Sequence, residues 1–196
     1  FNDDLKDYRP IPFWSWNNEL DPAMLCKQIG EMKEAGIGGF IMHARLGLKT
    51  EYLSEKWFEC IEACLSEARR LDMNAWISDE NGWPSGFIEG RLLKNPEFRA
   101  NYLEYQVKDY FDEDAFTVYE LTGGAAKRVF KDCKLKEYHC IYLRTSPSNT
   151  DILNPIVVDE FIKQTHEEYY KRFADSFGRE LKGFFTDEPQ YYRSGT

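Results

Sequence analysis

Gly36-Ile37-Gly38-Gly39-Phe40-Ile41-Met42-His43-Ala44 is the stretch whose reading decides the fold. It is nearly continuous in apolar residues, without the alternation of a strand that faces water on one side. A strand of this kind is buried on both faces, as in parallel sheets covered by helices. Its glycines predict close packing of a helix against the strand.

Working outward, the preceding segment reads as a helix. Asp21-Pro22 supplies a cap and a first-turn proline, Leu25, Ile29 and Met32 follow at helical spacing, and Ala35-Gly36 closes it. Before that, Arg9-Pro10-Ile11-Pro12 is extended, because each proline biases its predecessor away from helix, and Phe13-Trp14-Ser15-Trp16-Asn17 reads as a first strand. On the other side, Ser54 caps a helix along which Trp57, Ile61, Cys64, Leu65, Ala68 and Leu71 recur on one face. Met73 to Glu80 is a third strand, and Asn81-Gly82-Trp83-Pro84-Ser85-Gly86 is a loop of turn formers that carries an aromatic, a composition typical of binding loops.

From about residue 100 to 146 the period changes to two. Leu103, Tyr105 and Val107, then Phe116 and Val118, then His139 to Leu143, predict short antiparallel strands around a Gly123-Gly124 turn. Ser146-Pro147-Ser148-Asn149-Thr150 reads as a linker. A long helix carrying Val158, Phe161, Ile162, Tyr169, Phe173 and Phe177 is predicted to stop at Gly178, before a fourth strand, Gly183 to Thr186, that delivers Asp187-Glu188-Pro189.

The order strand, helix, strand, helix, strand, β insertion, helix, strand implies a parallel sheet covered by helices. No G-x-G-x-x-G loop follows the first strand, where the sequence is Asn17-Asn18-Glu19-Leu20-Asp21, so the doubly wound alternative lacks its phosphate cradle. The expected fold class is α/β, the first half of a (β/α)8 TIM-type barrel with an inserted small antiparallel β subdomain. Residues 1–99 form three βα units, 100–146 the insertion, and 147–196 a helix and the fourth barrel strand. Strands one and four would be bare edges, from which partial self-association or marginal stability is expected unless the insertion or the termini mask them.

Composition narrows the partners. A net charge of −9 and a pI near 5.0 argue against nucleic acid and anionic membranes. The apolar runs are too short for a membrane span, and neither leader nor anchor is expected. Cys26, Cys60, Cys64, Cys133 and Cys140 lack C-x-x-C spacing, so reduced structural thiols and a cytoplasmic setting are expected, with no metal and no cofactor.

Arg9 to Asn17, Met32-Lys33-Glu34-Ala35-Gly36-Ile37-Gly38-Gly39-Phe40 and Asp79-Glu80-Asn81-Gly82-Trp83-Pro84-Ser85-Gly86 together resemble the opening of bacterial glycoside hydrolases related to the α-L-rhamnosidase family 106. The resemblance covers residues 9 to about 95, fades across the insertion and returns at Phe184 to Pro189. It implies a chain several times longer, of which this is the front of a catalytic barrel, with an aromatic and carboxylate-lined pocket for an oligosaccharide or glycoside.

The residue types support such a pocket independently. Trp16, Trp83, Tyr191 and Tyr192 offer flat faces for a sugar ring, while Asn17, His43, Arg45, Asp79 and Glu80 offer directional hydrogen bonds to hydroxyls. Trp14 and Trp76 are expected in the core. Asp187 and Glu188 are the candidate catalytic carboxylates. Side chains alternate along a strand, so one of the pair enters the pocket. Glu188 is the expected general acid, because Asp187-Glu188-Pro189 is similar to the Asn-Glu-Pro of many retaining glycosidases, with Asp187 in place of Asn. Glycoside hydrolysis needs a second carboxyl group, whose usual place is a later strand. Two other readings compete, a non-catalytic carbohydrate-binding domain using the same aromatics and a structural or interaction module whose acidic face keeps it in solution.

Overall fold

A computed structural model describes residues 8–191. Among the described residues eight strands run in chain order: β1 (Phe13–Trp16), β2 (Gly39–Ala44), β3 (Asn74–Asn81), β4 (Arg99–Lys108), β5 (Thr117–Thr122), β6 (Ala125–Arg128), β7 (Tyr138–Thr150) and β8 (Leu181–Phe185). The helices are α1 (Pro22–Glu34), α2 (Glu55–Leu71), α3 (Pro155–Gln164) and α4 (His166–Phe173). The protein is α/β, with a parallel sheet in the order β1-β2-β3-β8 and an antiparallel sheet in the order β4-β7-β5-β6.

Local chemistry accounts for the first units. Asp21 Oδ1 accepts from the Met24 N–H at 2.8 Å and Ser54 Oγ from the Trp57 N–H at 3.2 Å, so α1 and α2 begin where a side-chain oxygen satisfies an otherwise orphaned amide. Every residue of β2 is buried, in keeping with its unbroken apolar run. Gly39 is required by packing, because a Cβ there would lie 2.3 Å from the Asn74 carbonyl oxygen on β3.

Parallel register sorts the sheet into two faces. Trp14, Trp16, Phe40, Met42 and Ile77 face the helices, where Trp14, Trp16, Trp57 and Tyr52 form a series of edge-to-face rings 5.0 to 5.5 Å apart. Trp57 Nε1 donates to Tyr169 OH at 2.8 Å, so the core ties α2 to α4. Phe13, Ser15, Ile41, His43, Trp76, Ser78 and Phe185 lie on the opposite face. Phe13 on β1 meets Phe185 on β8 with ring centroids 4.7 Å apart. Flat strands three places apart are separated by about 14 Å, so this contact requires the sheet to curl towards that face.

The antiparallel unit has its own small core of Val118, Val129, Tyr138, Cys140 and Tyr142. Gly123 and Gly124, with φ of +60° and +83°, form the two-residue turn that joins β5 to β6. Its limits are wider than the expected 100–146, since β7 continues through Ser146–Thr150, the stretch predicted as a linker. Pro147 is tolerated there because the register to β4 shifts between Arg99 and Asn101, and Ser146 Oγ accepts from the Ser148 and Asn149 N–H groups across the bulge. The two ends of the unit are adjacent: the Asp151 N–H donates to the Phe98 carbonyl at 2.8 Å.

The single long helix expected before Gly178 is instead α3, α4 and a 3-10 turn at Ala174–Ser176. The break is at Thr165, whose Oγ1 donates to the Phe161 carbonyl at 2.6 Å and whose φ and ψ of −117° and −81° leave the helical region. Apolar spacing alone does not register such a break.

Two outcomes are expected. Gly39→Ala forces β2 and β3 apart and lowers stability by about 3 kcal/mol, measured by denaturant unfolding. A thiol-specific chromophoric reagent labels exposed Cys133 in the native protein but reaches Cys60, Cys64 and Cys140 only on unfolding, since they are buried and burial pushes the Cys60 thiol up to about 11.

Candidate functional site at the carboxyl rim of the parallel sheet

Parallel strands put their carboxyl ends on one side, and here backbone bonds join those ends into a continuous rim. The Arg45 N–H donates to the Trp16 carbonyl at 3.0 Å, the Gly82 N–H to the Ala44 carbonyl at 3.3 Å and the Ser85 N–H to the Asp187 carbonyl at 2.9 Å. The segments that follow β1, β2, β3 and β8 are therefore held side by side.

Glu80 organises the largest of these segments. Its side chain is fully buried, and its Oε1 accepts from the Asn81 and Glu89 N–H groups at 2.9 and 2.7 Å. Its Oε2 accepts from Gly86, Phe87 and Ile88 at 3.2, 3.0 and 2.8 Å. Loop 81–89 is wrapped around one carboxylate. Burial pushes the Glu80 carboxyl up from the usual carboxylate range, while the amides pull it down. The loop also needs positive φ at Ile88 and Glu89, both +52°, a conformation that the five hydrogen bonds hold in place.

Asp79 is also fully buried. Its Oδ1 accepts from Ser85 Oγ at 2.6 Å, and its Oδ2 accepts from Thr186 Oγ1 at 2.6 Å and lies 3.3 Å from His166 Nε2. Ser85 Oγ in turn accepts from the Asp187 N–H at 2.9 Å. Ser85 thus donates to a carboxylate and not to an imidazole, and the cluster ties loop 81–89 to the end of β8. Asp79 and Glu80, expected to hold substrate hydroxyls, are committed to the protein's own polar groups, which corrects that expectation.

Trp16 is a second correction. It is 2 % exposed and lies on the helix face against Trp14 and Trp57, with no open ring face for a sugar. The first strand contributes Asn17 instead, which is exposed at the rim together with Arg45. Trp83 is 48 % exposed on loop 81–89. Asp187 is half-buried and Glu188, with φ of +42°, is exposed. Tyr191 is exposed, and Tyr192 lies outside the described residues.

His43 is buried on the concave face beside Phe13, with ring centroids 5.3 Å apart. Burial, and secondarily Arg45, push its imidazole below the ordinary range, while Asp187 and the Gly82 backbone oppose them. Its Nε2 and Ser78 Oγ are buried without a hydrogen-bond partner among the described residues.

The sequence reading missed Ser85, Thr186 and His166. A cavity of about 510 Å³ opens beside them, walled by Ile152, Val157, Phe161, Ile162 and Pro189. The signal was the polar Thr165-His166 pair interrupting a helical apolar stripe. No cluster of three His, Cys, Asp or Glu suited to a metal occurs among the described residues.

Glu80→Gln replaces an acceptor facing five donors with an amide that clashes with some of them. It is expected to cost about 3 kcal/mol and to expose loop 81–89 to limited proteolysis. The lowered His43 pKa means that the unfolded chain takes up a proton first as pH falls below the ordinary imidazole value of about 6.5. This residue's contribution to stability is complete above that value and lost as pH falls towards its folded value, with a slope of up to about 1.4 kcal/mol per pH unit. Unfolding of His43→Gln measured from pH 7 downward should show that slope reduced.

No family model and no curated protein matches the chain. Among solved structures it is similar to a rhamnosidase from Novosphingobium sp. PP1Y, at 23% sequence identity and a TM-score of 0.43, over 58% of this chain. The chain spans 11% of the length of that rhamnosidase.

Proposed function

We propose that the carboxyl rim is the sugar-binding side of a glycoside hydrolase-type domain, with Trp83 as the stacking platform and Asn17, Arg45 and Asp187 as hydroxyl partners. Glu188 is the candidate general acid. The observation that carries this proposal is the rim itself: three backbone hydrogen bonds hold the ends of four strands together beneath an exposed tryptophan, an arginine and two carboxylates. A flat aromatic beside directional polar groups is the usual chemistry of sugar recognition.

In this proposal the sheet is the first half of a (β/α)8 barrel and the curled face is its interior. Two features support it, the sequential order β1-β2-β3-β8 and the Phe13–Phe185 contact across the curl. The edges of β1 and β8 are then surfaces for further strands or for a second copy. Asp79 and Glu80 are engaged by the protein's own donors, and this reading assigns the second carboxylate of glycoside hydrolysis to a later strand. The chain by itself should therefore bind glycosides with little or no turnover.

Calorimetric titration with α-L-rhamnosides and a panel of other glycosides tests the binding claim. Trp83→Ala is expected to weaken binding at least about tenfold, the scale of a lost stacking platform, and absence of binding to any glycoside overturns the proposal. In the intact parent protein, Glu188→Gln is expected to lower turnover of unactivated glycosides at least about a hundredfold, and that of activated aryl glycosides less. Binding with no turnover in the parent would select the non-catalytic carbohydrate-binding alternative.

A further inference from the structure

The antiparallel unit carries a surface that the rim chemistry does not use. Strand register puts Leu103, Tyr105 and Val107 of β4 on one face with His139, Ile141 and Leu143 of β7 and Thr117 and Tyr119 of β5. Leu103, Tyr105, Val107 and Leu143 are each about half exposed, at 59, 55, 48 and 52 %. This face of β4, β7 and β5 contains no Asp or Glu, although the chain has a net charge of −9. β4 is also an edge strand of its sheet. An edge of ten residues without proline, beside an apolar stripe, is a template for pairing with another strand.

The sequence of β4 specifies which strand fits. Antiparallel self-pairing must keep Leu103, Tyr105 and Val107 on one face, so only registers that oppose odd with odd positions preserve the pattern. Centring the pair on Glu104 opposes two carboxylates. Centring it on Gln106 places Glu104, which within its own chain accepts from Arg144 Nε at 2.6 Å and from Gln106 Nε2 at 2.5 Å, opposite Lys108 of the second copy as a further partner, and Tyr105 opposite its Val107. Opposite charges and an aromatic against a β-branched residue are favourable cross-strand pairs, and two-fold symmetry uses each twice.

We infer that β4 is a homodimerisation edge, pairing antiparallel with β4 of a second copy about a two-fold axis at Gln106. Two four-stranded sheets become one of eight strands. Each unacidic apolar stripe then continues into that of its mate.

The test is sedimentation equilibrium of the purified chain and its variants, with circular dichroism confirming the fold of each. The expected result is a reversible dimer whose dissociation constant rises about tenfold in Lys108→Glu, which turns two attractive pairs repulsive, and stays near the starting value in Lys108→Arg, which keeps the charge. Gln106→Cys should crosslink to itself under mild oxidation. A monomer at all concentrations overturns the proposal. So does association that is insensitive to Lys108→Glu and lacks the Gln106→Cys crosslink, because it would then run through the edges of β1 or β8.

Discussion

A carboxylate shut away from water must be given donors, and at Glu80 that requirement shapes the carboxyl end of the parallel sheet. Five backbone amides supply the donors, and to do so residues 81–89 must double back over the strand that carries Glu80. Asp79, next to it, takes its donors from Ser85 and Thr186 and lies 3.3 Å from His166 Nε2, and so links that loop to the end of β8 and to α4. Adjacent acids on a strand thus take different tasks, one folding its own loop and the other joining three elements. The exposed residues of the rim owe their positions to buried ones.

Much of the architecture was legible in the sequence because it rests on local rules. The apolar run at Phe40 to Met42, the caps at Asp21 and Ser54, the Gly123-Gly124 turn and the change of period near residue 100 each have a near-neighbour cause, and each marks an element in the fold. What escaped depends on partners far along the chain. Trp16 belongs to the core because Trp57 waits for it, and a four-residue strand does not declare which of its faces is covered. Thr165 breaks a helix by a side-chain bond that competes with helical continuation, and Ser146–Thr150 has the composition of a linker but finds a partner in β4.

The site was half legible for the same reason. The sequence places these polar residues at strand ends, as the fold has them, but whether each faces outward depends on how many donors the fold supplies nearby. Asp79 and Glu80 have theirs. Asn17, Arg45, Trp83 and Glu188 remain turned to solvent. His43 falls between these cases, buried on the concave face with an unpartnered ring nitrogen.

The bond between Asp151 and Phe98 has a further consequence. Because the antiparallel unit leaves and rejoins the chain at neighbouring points, it resembles a graft: its length and content can drift between descendants while the parallel sheet keeps its register. The graft is not wholly insulated. Thr150 Oγ1 donates to the Gly86 carbonyl at 2.7 Å, inside the loop that carries Trp83, so selection acting on the appendage has a direct mechanical route to the rim.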